Sequence, residues 1–413
     1  MAQTVSNLSE VMKEVFTEDR LVKQFYDEQD WLQRVQKTSR WTEGRKAYVP
    51  LHKGRSGGFS VKPSSGGTLN AADEQKVDHA EYTIPYNYQQ IQTEIAAYNE
   101  AAGGETAAVE ALVLEIEGGV QDLRNQVERQ FLGNGDALIA QCTTTSGSTT
   151  INLVSTGYGV DAIQRGWLYP GLPVDIGTTA NEVAVADGVE ILSTTYDEAA
   201  GTSSFTVSTA ITTSSSHYVS IKDARSGTTS YEANGLRTIA GSTTSSVGGL
   251  DPDTVGEEFW KPASVNSSDT VLSLNAINNA TRATHQLSGK KSSFHLTSLK
   301  QIQALYELLQ NQVRFSADSV TAGGVETTKY NGNEIMAIPA VPNREWYVLN
   351  LDDFAIIHGK KITGPTWFSK IQGSNTGSIW STGTTALVDA LVYPCNLGIR
   401  RRNSSASLTG LTA

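Results

Sequence analysis

The stretch RKAYVPLHKGRSGGFSVKPSSGGTLNAADEQKVDHAEYTIPYNYQQIQTEI, residues 45–95, decides the fold of this chain. Its beginning, Arg45–Leu51, predicts a strand, and Glu81–Ile95, rich in Tyr, Ile and Thr, predicts the returning strand. Residues 52–80 carry seven charged side chains and repeated Gly pairs, but few large apolar ones. Because an isolated two-stranded ribbon is marginally stable in water, we expect this one to pack on another copy of the chain. That favours an assembly subunit over a self-contained enzyme.

The overall composition sets limits on the class of protein. With 413 residues the chain has room for two or three domains, although only 38% of its residues are hydrophobic and 18% are charged. The formal net charge of −11 favours solubility and argues against tight coating of nucleic acid. The basic cluster Arg400–Arg402 is interpreted as a solvated strand end rather than as a nucleic-acid site.

Cysteine usage and segment hydropathy indicate the compartment. Cys142 and Cys395 are the only cysteines, and their separation predicts two free thiols in a reducing compartment, with neither a disulfide framework nor a metal motif. The first residues, MAQTVSNLSEVMKEVF, lack the basic start and apolar run of a signal peptide. No run of eighteen apolar residues occurs, so we expect no transmembrane helix.

The strongest helix pattern covers Glu105–Leu132. Apolar residues recur there at three- and four-residue spacing, which predicts one buried stripe: Val109, Leu112, Ile116, Val120, Leu123, Val127 and Phe131. Gly118 and Gly119 are expected to weaken or bend the helix, and Gly133-Asn134-Gly135 is expected to end it. Residues 1–40 are expected to form a mobile, mostly helical arm that lies along a neighbouring copy.

Composition changes sharply after this helix. Ser and Thr make up 36 of the 110 residues in 141–250, with short alternating runs that predict a small all-β domain, either a barrel or a sandwich. Mixed α/β character then returns, with helices predicted over Asp269–Leu287, capped by Asp269, and over Thr297–Gln312. Strands are predicted over Ser293–Leu296, Tyr330–Ile338, Trp346–Leu349 and Ala386–Ile399.

Catalytic and metal-binding patterns occur only as fragments. Gly54-Arg55-Ser56-Gly57-Gly58 matches the G-x-S-x-G nucleophile elbow, but that motif requires a helix directly after it, and none is predicted there. The six histidines form neither H-E-x-x-H nor a zinc spacing, and His285 and His295 are interpreted as partly buried polar side chains. We therefore predict no catalytic residues, no metal site and no cofactor.

The order of these elements resembles the major capsid proteins of tailed bacteriophages with the Hong Kong 97 fold. The resemblance is carried by the arm, the β-ribbon, the long helix ending in FLGNG, and the segment KYNGNEIMAIPAVPNREWYVLNLDDFAIIHG, residues 329–359. It covers residues 1–135 and 235–402, and it implies an α+β fold with an all-β insertion domain. It further implies an N-terminal arm (1–44), an extended β-loop (45–95), a peripheral-domain spine helix region (96–136), the insertion (137–250), an axial domain (251–365) and a return to the peripheral domain with the C-terminus (366–413).

The resemblance also implies which residues contact other subunits. The tip of the extended loop overlies a neighbouring subunit in that family, which assigns inter-subunit contacts to the following loop residues: Lys53, Arg55, Phe59, Val61, Lys62 and Lys76. The lysines Lys53, Lys62 and Lys76 are interpreted as solubilising charges that form weak rim salt bridges. An isopeptide bond between one of them and an asparagine such as Asn70 is the alternative. The spine helix is expected to pack through Leu112, Ile116, Leu123, Val127 and Phe131.

The function that follows is structural rather than enzymatic. Many copies are predicted to form pentamers and hexamers of an icosahedral shell that encloses double-stranded DNA, made in the host cytoplasm and located in the virion. Expected partners are other copies of the chain, scaffolding, portal and decoration proteins, and weakly contacted DNA, without a membrane. A bacterial nanocompartment shell of the same fold is one alternative, which gene neighbourhood would separate. A β-rich polysaccharide-active enzyme or adhesin is the other, which predicts a monomer.

The insertion domain leaves three roles open from sequence. It is expected to stabilise contacts between capsomers, to bind a decoration protein, or to contact the host surface. Deleting the segment and measuring shell stability separates the first role from the other two.

Overall fold

The computed structural model describes residues 30–71, 73–94, 105–154, 159–197, 201–266, 270–310, 321–322, 325–326, 328–360, 362, 364–367, 379–380 and 386–412. Within these residues there are six α-helices: α1 (Asp30–Arg34), α2 (Glu105–Leu132), α3 (Gly159–Gln164), α4 (Leu236–Ile239), α5 (Leu274–Ser288) and α6 (Leu299–Gln310). None of these helices combines the length and the apolar character needed to cross a bilayer.

The strands in the described residues are numbered in chain order. The first thirteen are β1 (Gln36–Thr38), β2 (Thr42–Glu43), β3 (Lys46–Gly54), β4 (Lys76–Thr83), β5 (Tyr86–Glu94), β6 (Ala140–Gln141), β7 (Thr145–Asn152), β8 (Pro173–Gly177), β9 (Ala186–Asp197), β10 (Thr202–Thr213), β11 (Tyr218–Ile221), β12 (Arg225–Ser226) and β13 (Thr229–Ser230). The others are β14 (Ser264–Asn266), β15 (Thr270–Val271), β16 (Phe294–Thr297), β17 (Thr321–Ala322), β18 (Val325–Glu326), β19 (Thr328–Tyr330), β20 (Asn333–Ala337), β21 (Trp346–Leu349), β22 (Phe354–His358), β23 (Thr366–Trp367), β24 (Ile379–Trp380), β25 (Ala386–Ile399), β26 (Ala406–Leu408) and β27 (Leu411–Thr412).

The chain folds as two compact units. Unit 1 combines Met1–Ser39, Ile84–Gly235 and Ile356–Asn396, and unit 2 combines Arg40–Thr83, Leu236–Ala355 and Leu397–Ala413. The boundaries of these units divide five of the six predicted segments, at 39/40, 83/84, 235/236, 355/356 and 396/397. As a division into functional domains, the six predicted segments remain a prediction.

Unit 1 contains a six-stranded sheet organised around the long strand β25. Its strand path is β1-β22-β25-β23, and β5 and β24 also pair with β25. The register of β5 and β25 is antiparallel, running from Ala386 opposite Glu94 to Pro394 opposite Tyr86. Strand β25 has the predicted limits, and helix α2 also begins and ends at the predicted residues.

The second part of unit 1 is a small closed sheet. Its strand order is β6-β11-β8-β9-β10-β7. The Thr143 N–H donates to the Asn152 carbonyl (2.8 Å), the Val154 N–H donates to the Gln141 carbonyl (2.9 Å), and Cys142 bridges to Leu153. These bonds join the first strand to the last, so the sheet closes into a barrel. The six-residue helix α3 belongs to the same segment, which is therefore strand-rich rather than wholly β.

The barrel has its own apolar core. Ile151, Ile176, Ile191, Phe205 and Val219 lie in this core, and each of them is 0% exposed. The runs at 150–154, 189–192, 204–207 and 218–222 fall on or beside strands as predicted, but 183–185 lies in a turn. Short alternation predicted most strands correctly because each one buries a single face.

Unit 2 contains a mixed six-stranded sheet in the order β14-β26-β21-β16-β20-β19. Strand β16 pairs parallel with β20 and antiparallel with β21, and β26 pairs parallel with β14. Helices α5 and α6 contribute Ile277, Ala280 and Leu305 to a core that also contains Trp346 and Val348. Strand β26 was not predicted, although it pairs with two others inside this sheet.

The ends of α5 and α6 differ from the sequence expectation. Helix α5 begins after Ser273, whose hydroxyl accepts the Ala276 N–H at 3.1 Å, and it ends at Gly289 in the left-handed conformation. Asp269, the predicted cap, lies outside the described residues. Residues 270–271 form a strand instead of the first helical turn. In α6, the side chain of Leu305 is buried in the core, whereas that of Leu299 at the start of the helix is exposed.

The predicted return strand 81–95 is two strands that belong to different units. Strand β4 ends at Thr83 and pairs with β3, whereas β5 starts at Tyr86 and pairs with β25. Pro85 lies between them, and it has no N–H with which to continue a ladder. The composition of 81–95 indicated strand correctly but did not indicate the change of partner.

Candidate assembly surface

The ribbon formed by β3 and β4 packs against its own unit along one face. Ala47, Val49 and Leu51 are buried while the residues between them are exposed, and Ala80 and Tyr82 are buried opposite them. The expectation that the whole ribbon lacks a surface to pack on is therefore wrong for its first half. The burial alternates along β3 because successive side chains of a strand point to opposite faces.

A glycine turn of unit 2 lies directly beneath this buried face. The Glu81 N–H donates to the Gly248 carbonyl at 2.8 Å, and the Tyr82 hydroxyl donates to the Ile399 carbonyl at 3.2 Å. A Cβ at Gly248 would lie 2.8 Å from the Ala80 Cβ, and its φ is +62°. Only glycine allows both that backbone conformation and that close approach.

Lys53 lies where the ribbon leaves the body of unit 2. Its Nζ is 3.2 Å from the Asp78 carboxylate and 6.0 Å from the centre of the Phe259 ring. The pKa of Asp78 is lowered, chiefly because the carboxylate accepts the His79 N–H and also because Lys53 is close. Lys53 therefore contacts its own chain, and its contact with another subunit remains a prediction.

The loop tip, defined as the described residues between β3 and β4 (55–71 and 73–75), has no regular secondary structure. Three large apolar side chains are exposed there: Phe59 at 81%, Val61 at 79% and Leu69 at 73%. Arg55 and Lys62 are also exposed, as is Lys76 at the beginning of β4. Where exposed apolar side chains lie together in one patch, they mark an interaction surface. Leu69 was missed from sequence, although it is one of few large apolar residues in 52–80.

Helix α2 packs through the predicted stripe. Ile116, Leu123, Val127 and Phe131 are buried at 0–2% exposure. The side chain of Leu112 lies outside the described residues. These contacts lie inside a single chain. What they contribute to a shell remains a prediction.

The C-terminal part of α2 buries polar groups as well. Glu128 accepts the Trp31 Nε1–H at 3.1 Å, Arg129 forms a buried ion pair with Glu232, and Gln130 donates to the Asn87 side chain at 2.7 Å. Glu128 is buried although it lies outside the apolar stripe of α2. Trp31 also shows that the end of the predicted arm packs inside unit 1, whereas residues 1–29 lie outside the described residues.

Of the basic cluster at 400–402, Arg400 and Arg401 are exposed after the end of β25, as predicted, but Arg402 is not. Arg402 is fully buried, and its guanidinium donates hydrogen bonds of 2.6–2.8 Å to four carbonyls: those of Thr238, Ile239, Ser242 and Ser245. Burial lowers the pKa of Arg402 to about 10. Arg400 lies over the Trp41 ring at 4.4 Å. The sequence of three consecutive arginines did not indicate that the side chain of Arg402 is buried.

The fragments of catalytic motifs stay fragments in the structure. Gly54 ends a strand, and an irregular loop rather than a helix follows Ser56, which is the wrong context for a nucleophile elbow. Among the described residues, no group of three His, Cys, Asp or Glu side chains is placed to hold a metal ion. His285 is exposed, whereas His295 is buried and accepts the Trp346 Nε1–H at 3.0 Å.

Comparison with known proteins identifies the fold. No protein-family model and no curated protein matches the chain. Among solved structures, the chain is similar to a protein of the cyanophage A-1(L) capsid asymmetric unit, with 11% identity and a TM-score of 0.53 over 92% of this chain and 91% of that one.

Two further structures are similar at TM-scores below 0.5. One is the procapsid of satellite phage P4 with its size determination protein, at 7% identity and a TM-score of 0.47, covering 100% of this chain and 98% of that one. The other is the SrpI encapsulin of Synechococcus elongatus, at 9% identity and 0.43, covering 100% and 96%. The cyanophage comparison confirms the expected mixed α+β fold of Hong Kong 97-type capsid proteins.

Proposed function

We propose that this chain is the major capsid protein of a tailed bacteriophage, and that its role is to build a shell rather than to catalyse a reaction. The observation that carries the proposal is the similarity to the cyanophage capsid chain over nearly the full length of both proteins. In this proposal many copies form pentamers and hexamers, and these form an icosahedral head around double-stranded DNA. The head is assembled in the host cytoplasm and becomes part of the virion.

The loop tip supports this role on physical grounds. Phe59, Val61 and Leu69 expose most of their apolar surface to water in the single chain. Covering each of them on a neighbouring subunit would contribute roughly 1.5–3 kcal/mol, because apolar surface is removed from water. A shell subunit meets several neighbours, so such contacts are repeated many times. Arg55, Lys62 and Lys76 then lie at the rim of the contact, where exposed charges contribute little.

Lys53 has a different role within the proposal. Because it pairs with Asp78 at 3.2 Å in its own chain, we assign it to holding the root of the loop rather than to an inter-subunit contact. The side chain of Asn70 donates to the Phe59 carbonyl, which favours a structural role for it over an isopeptide bond.

The barrel between α2 and unit 2 is proposed to be an insertion domain. Its ends meet: a Cβ at Gly135 would lie 3.0 Å from the Ala233 carbonyl oxygen, and one at Gly235 would lie 2.0 Å from that of Gly133. A domain whose ends are adjacent can be added to a fold without displacing the elements around it. Stabilising capsomers, binding a decoration protein and contacting the host are its proposed alternative roles.

Scaffolding and portal proteins are further proposed partners, and contact with packaged DNA is proposed to be weak and non-specific. The net charge of −11 supports the last point, because few phosphates would be neutralised.

Electron microscopy of the purified chain tests the proposal. We expect closed shells with five-fold and six-fold capsomers in negative stain, and large particles in sedimentation. The Phe59→Ser/Leu69→Ser double variant should remain unassembled at the concentration at which the wild type assembles. Leu192→Ser, which removes an exposed apolar side chain from the barrel, is the matched control and should still assemble. A chain that stays monomeric at every concentration contradicts the proposal.

The contents of natural particles separate the phage head from the nanocompartment. We expect double-stranded DNA that is protected from nuclease and uniform in length. Particles that instead enclose one enzyme and no DNA would identify a nanocompartment shell.

A further inference from the structure

The two sides of the loop tip remain joined after the backbone ladder ends. The last pair of β3 and β4 is Gly54 opposite Lys76. Close to that point, His52 Nε2 and Gln75 Oε1 are 2.8 Å apart. Farther out, the Gly57 N–H donates to the Asp73 carboxylate at 2.9 Å. Side chains therefore replace the backbone bonds that the irregular loop lacks.

Asn70 makes the outermost connection. Its backbone N–H donates to the Ser60 hydroxyl at 2.8 Å, and its side-chain Nδ2 donates to the Phe59 carbonyl, also at 2.8 Å. One residue thus holds two consecutive residues of the opposite side. Of these two, Phe59 belongs to the apolar part of the tip together with Val61, and Leu69 immediately precedes Asn70.

The hydrogen bond that Asp73 accepts requires a small residue, Gly57, on the opposite side of the loop. A Cβ at Gly57 would lie 3.3 Å from the Asp73 carboxylate, closer than an ordinary contact, so the small residue leaves room for this bond. The bond from Gly57 is also the main reason that the pKa of Asp73 is lowered. The carboxylate is therefore charged and able to accept at neutral pH.

A loop of this composition would otherwise be flexible. Residues 55–75 include Gly57, Gly58, Gly66 and Gly67, and glycine loses more conformational freedom on ordering than other residues do. A partner that binds a flexible loop must supply the free energy to order it, whereas a loop ordered beforehand binds without that cost.

We propose that Asn70 and Asp73 are positioning residues that preorganise the loop tip, so that Phe59, Val61 and Leu69 are presented together to a second copy of this chain. This inference rests on the proposed function and deepens it by naming residues that act through the contact residues rather than at the contact itself. The partner is a second copy of this chain, because the proposed shell places identical subunits next to each other.

The experiment compares four variants of the full-length chain with the wild type. Asn70→Ala and Asp73→Ala each remove one connection. Asp73→Asn keeps an oxygen that can accept from Gly57, and Glu74→Ala removes a neighbouring exposed carboxylate that makes none of the described connections across the loop. Three quantities are measured: the lowest concentration that gives shells, the thermal midpoint of unassembled subunits, and hydrogen exchange of residues 56–75 below the assembly concentration.

The two alanine variants at 70 and 73 should raise the assembly concentration about fivefold, the factor expected for one modest hydrogen bond. Exchange in the loop tip should become faster, while the thermal midpoint stays within error of the wild type. Asp73→Asn and Glu74→Ala should assemble at the wild-type concentration. A merely structural role for Asp73 would instead lower the thermal midpoint.

The failures of the two proposals can be told apart. If the wild type assembles and both alanine variants assemble at the same concentration, the preorganisation inference is wrong and the shell function stands. If the wild type never assembles, the shell function is wrong, and the preorganisation inference, which depends on it, is wrong as well.

Discussion

Arg402 holds the backbone of residues 238–245 of unit 2 in place through hydrogen bonds. Its guanidinium lies in a ring of backbone carbonyls between Thr238 and Ser245, and no carboxylate is among its described partners. Carbonyl dipoles compensate for the lost hydration of a buried charge only when all donors are used. Removing the side chain would therefore leave several buried carbonyls without donors.

Replacement of Arg402 by Met should destabilise unit 2. We expect a loss of about 3 kcal/mol, because the freed carbonyls remain buried without partners. Urea unfolding of unassembled subunits measures the loss, and hydrogen exchange at 238–245 locates it. Arg401→Ala is the control, since that neighbouring side chain is exposed. Equal stability of both variants would show that the carbonyl ring does not need its arginine.

A second residue, His295, makes stability depend on pH. Burial lowers its pKa from 6.5 to about 4, and it also lies 3.0 Å from the Asn333 side chain. The unfolded chain therefore takes up a proton at a higher pH than the folded chain does. Stability should be constant above pH 6.5 and should fall as the pH decreases from 6.5 to 4, by roughly 3 kcal/mol for this group.

Urea midpoints of the unassembled subunit at pH 7.5 and pH 4.5 test this dependence, compared with His295→Gln. The variant should lose less stability between the two values because it has no proton to gain. The buried His358, with its pKa also lowered to about 4, contributes in the same direction in unit 1 and is unchanged in this comparison. An identical pH dependence of the variant and the wild type would exclude His295 as a source.

At the scale of elements, helix α2 shows how two adjacent glycines take different roles. The pair at 118–119 was expected to weaken or bend the helix, yet α2 runs continuously from Glu105 to Leu132. A Cβ at Gly119 would lie 3.0 Å from the Ile91 Cδ1 on β5, whereas a Cβ at Gly118 would meet nothing within 4 Å. Gly119 therefore allows the strand to approach, and Gly118 only costs helix propensity.

Substitutions at these two glycines should have opposite effects. Gly118→Ala should stabilise the subunit by up to about 1 kcal/mol, because alanine has the higher helix propensity and open space around it. Gly119→Leu should destabilise it by about 1–3 kcal/mol, because the larger side chain displaces Ile91. Thermal unfolding of unassembled subunits checks both. Stabilisation by both substitutions would contradict the close packing of α2 on β5.

The β segment from 76 to 94 contributes strands to two different sheets. The chain from 76 to 94 reads as a single β segment, but Pro85 separates a strand of the ribbon from a strand of the unit 1 sheet. The ribbon root is stable within one subunit because it buries Val49, Leu51 and Tyr82. The most exposed large apolar side chains of the ribbon, Phe59, Val61 and Leu69, lie in the loop tip.

At the scale of the molecule, each unit has a core of its own, and the barrel adds a third within unit 1. A barrel that closes on itself and whose ends meet has little need of the surrounding chain to fold. This is the physical reason that the barrel is separable from the rest of the chain.

Removal of the barrel should leave a folded protein. We expect a chain in which residues 137–231 are replaced by a short Gly-Ser linker to retain the thermal midpoint of the remaining elements, because Glu232 still pairs with Arg129. Circular dichroism and calorimetry measure this in unassembled subunits. A matched single-residue control is Phe205→Ala, which should unfold the barrel core without affecting unit 2, since a cavity costs about 3–5 kcal/mol.

Shells of the deleted chain then decide between the roles of the barrel. Shells that form but dissociate at lower temperature indicate that it stabilises contacts between capsomers. Unchanged shell stability rejects that role and favours decoration or host binding. A deleted chain that does not fold would contradict the separability of the barrel.

Local sequence patterns by themselves determined the elements of this protein. The three- and four-residue spacing predicted α2 to the residue, alternation predicted most strands, and the glycine-rich segment 52–80 predicted a projecting loop, because each of these depends on neighbours in the chain. The tertiary structure alone decided which polar groups are buried: Arg402, Glu128 and the partners of Asn70 depend on residues distant in sequence. It also decided that Pro85 divides one β segment between two sheets, since strand pairing joins distant segments that no local pattern specifies.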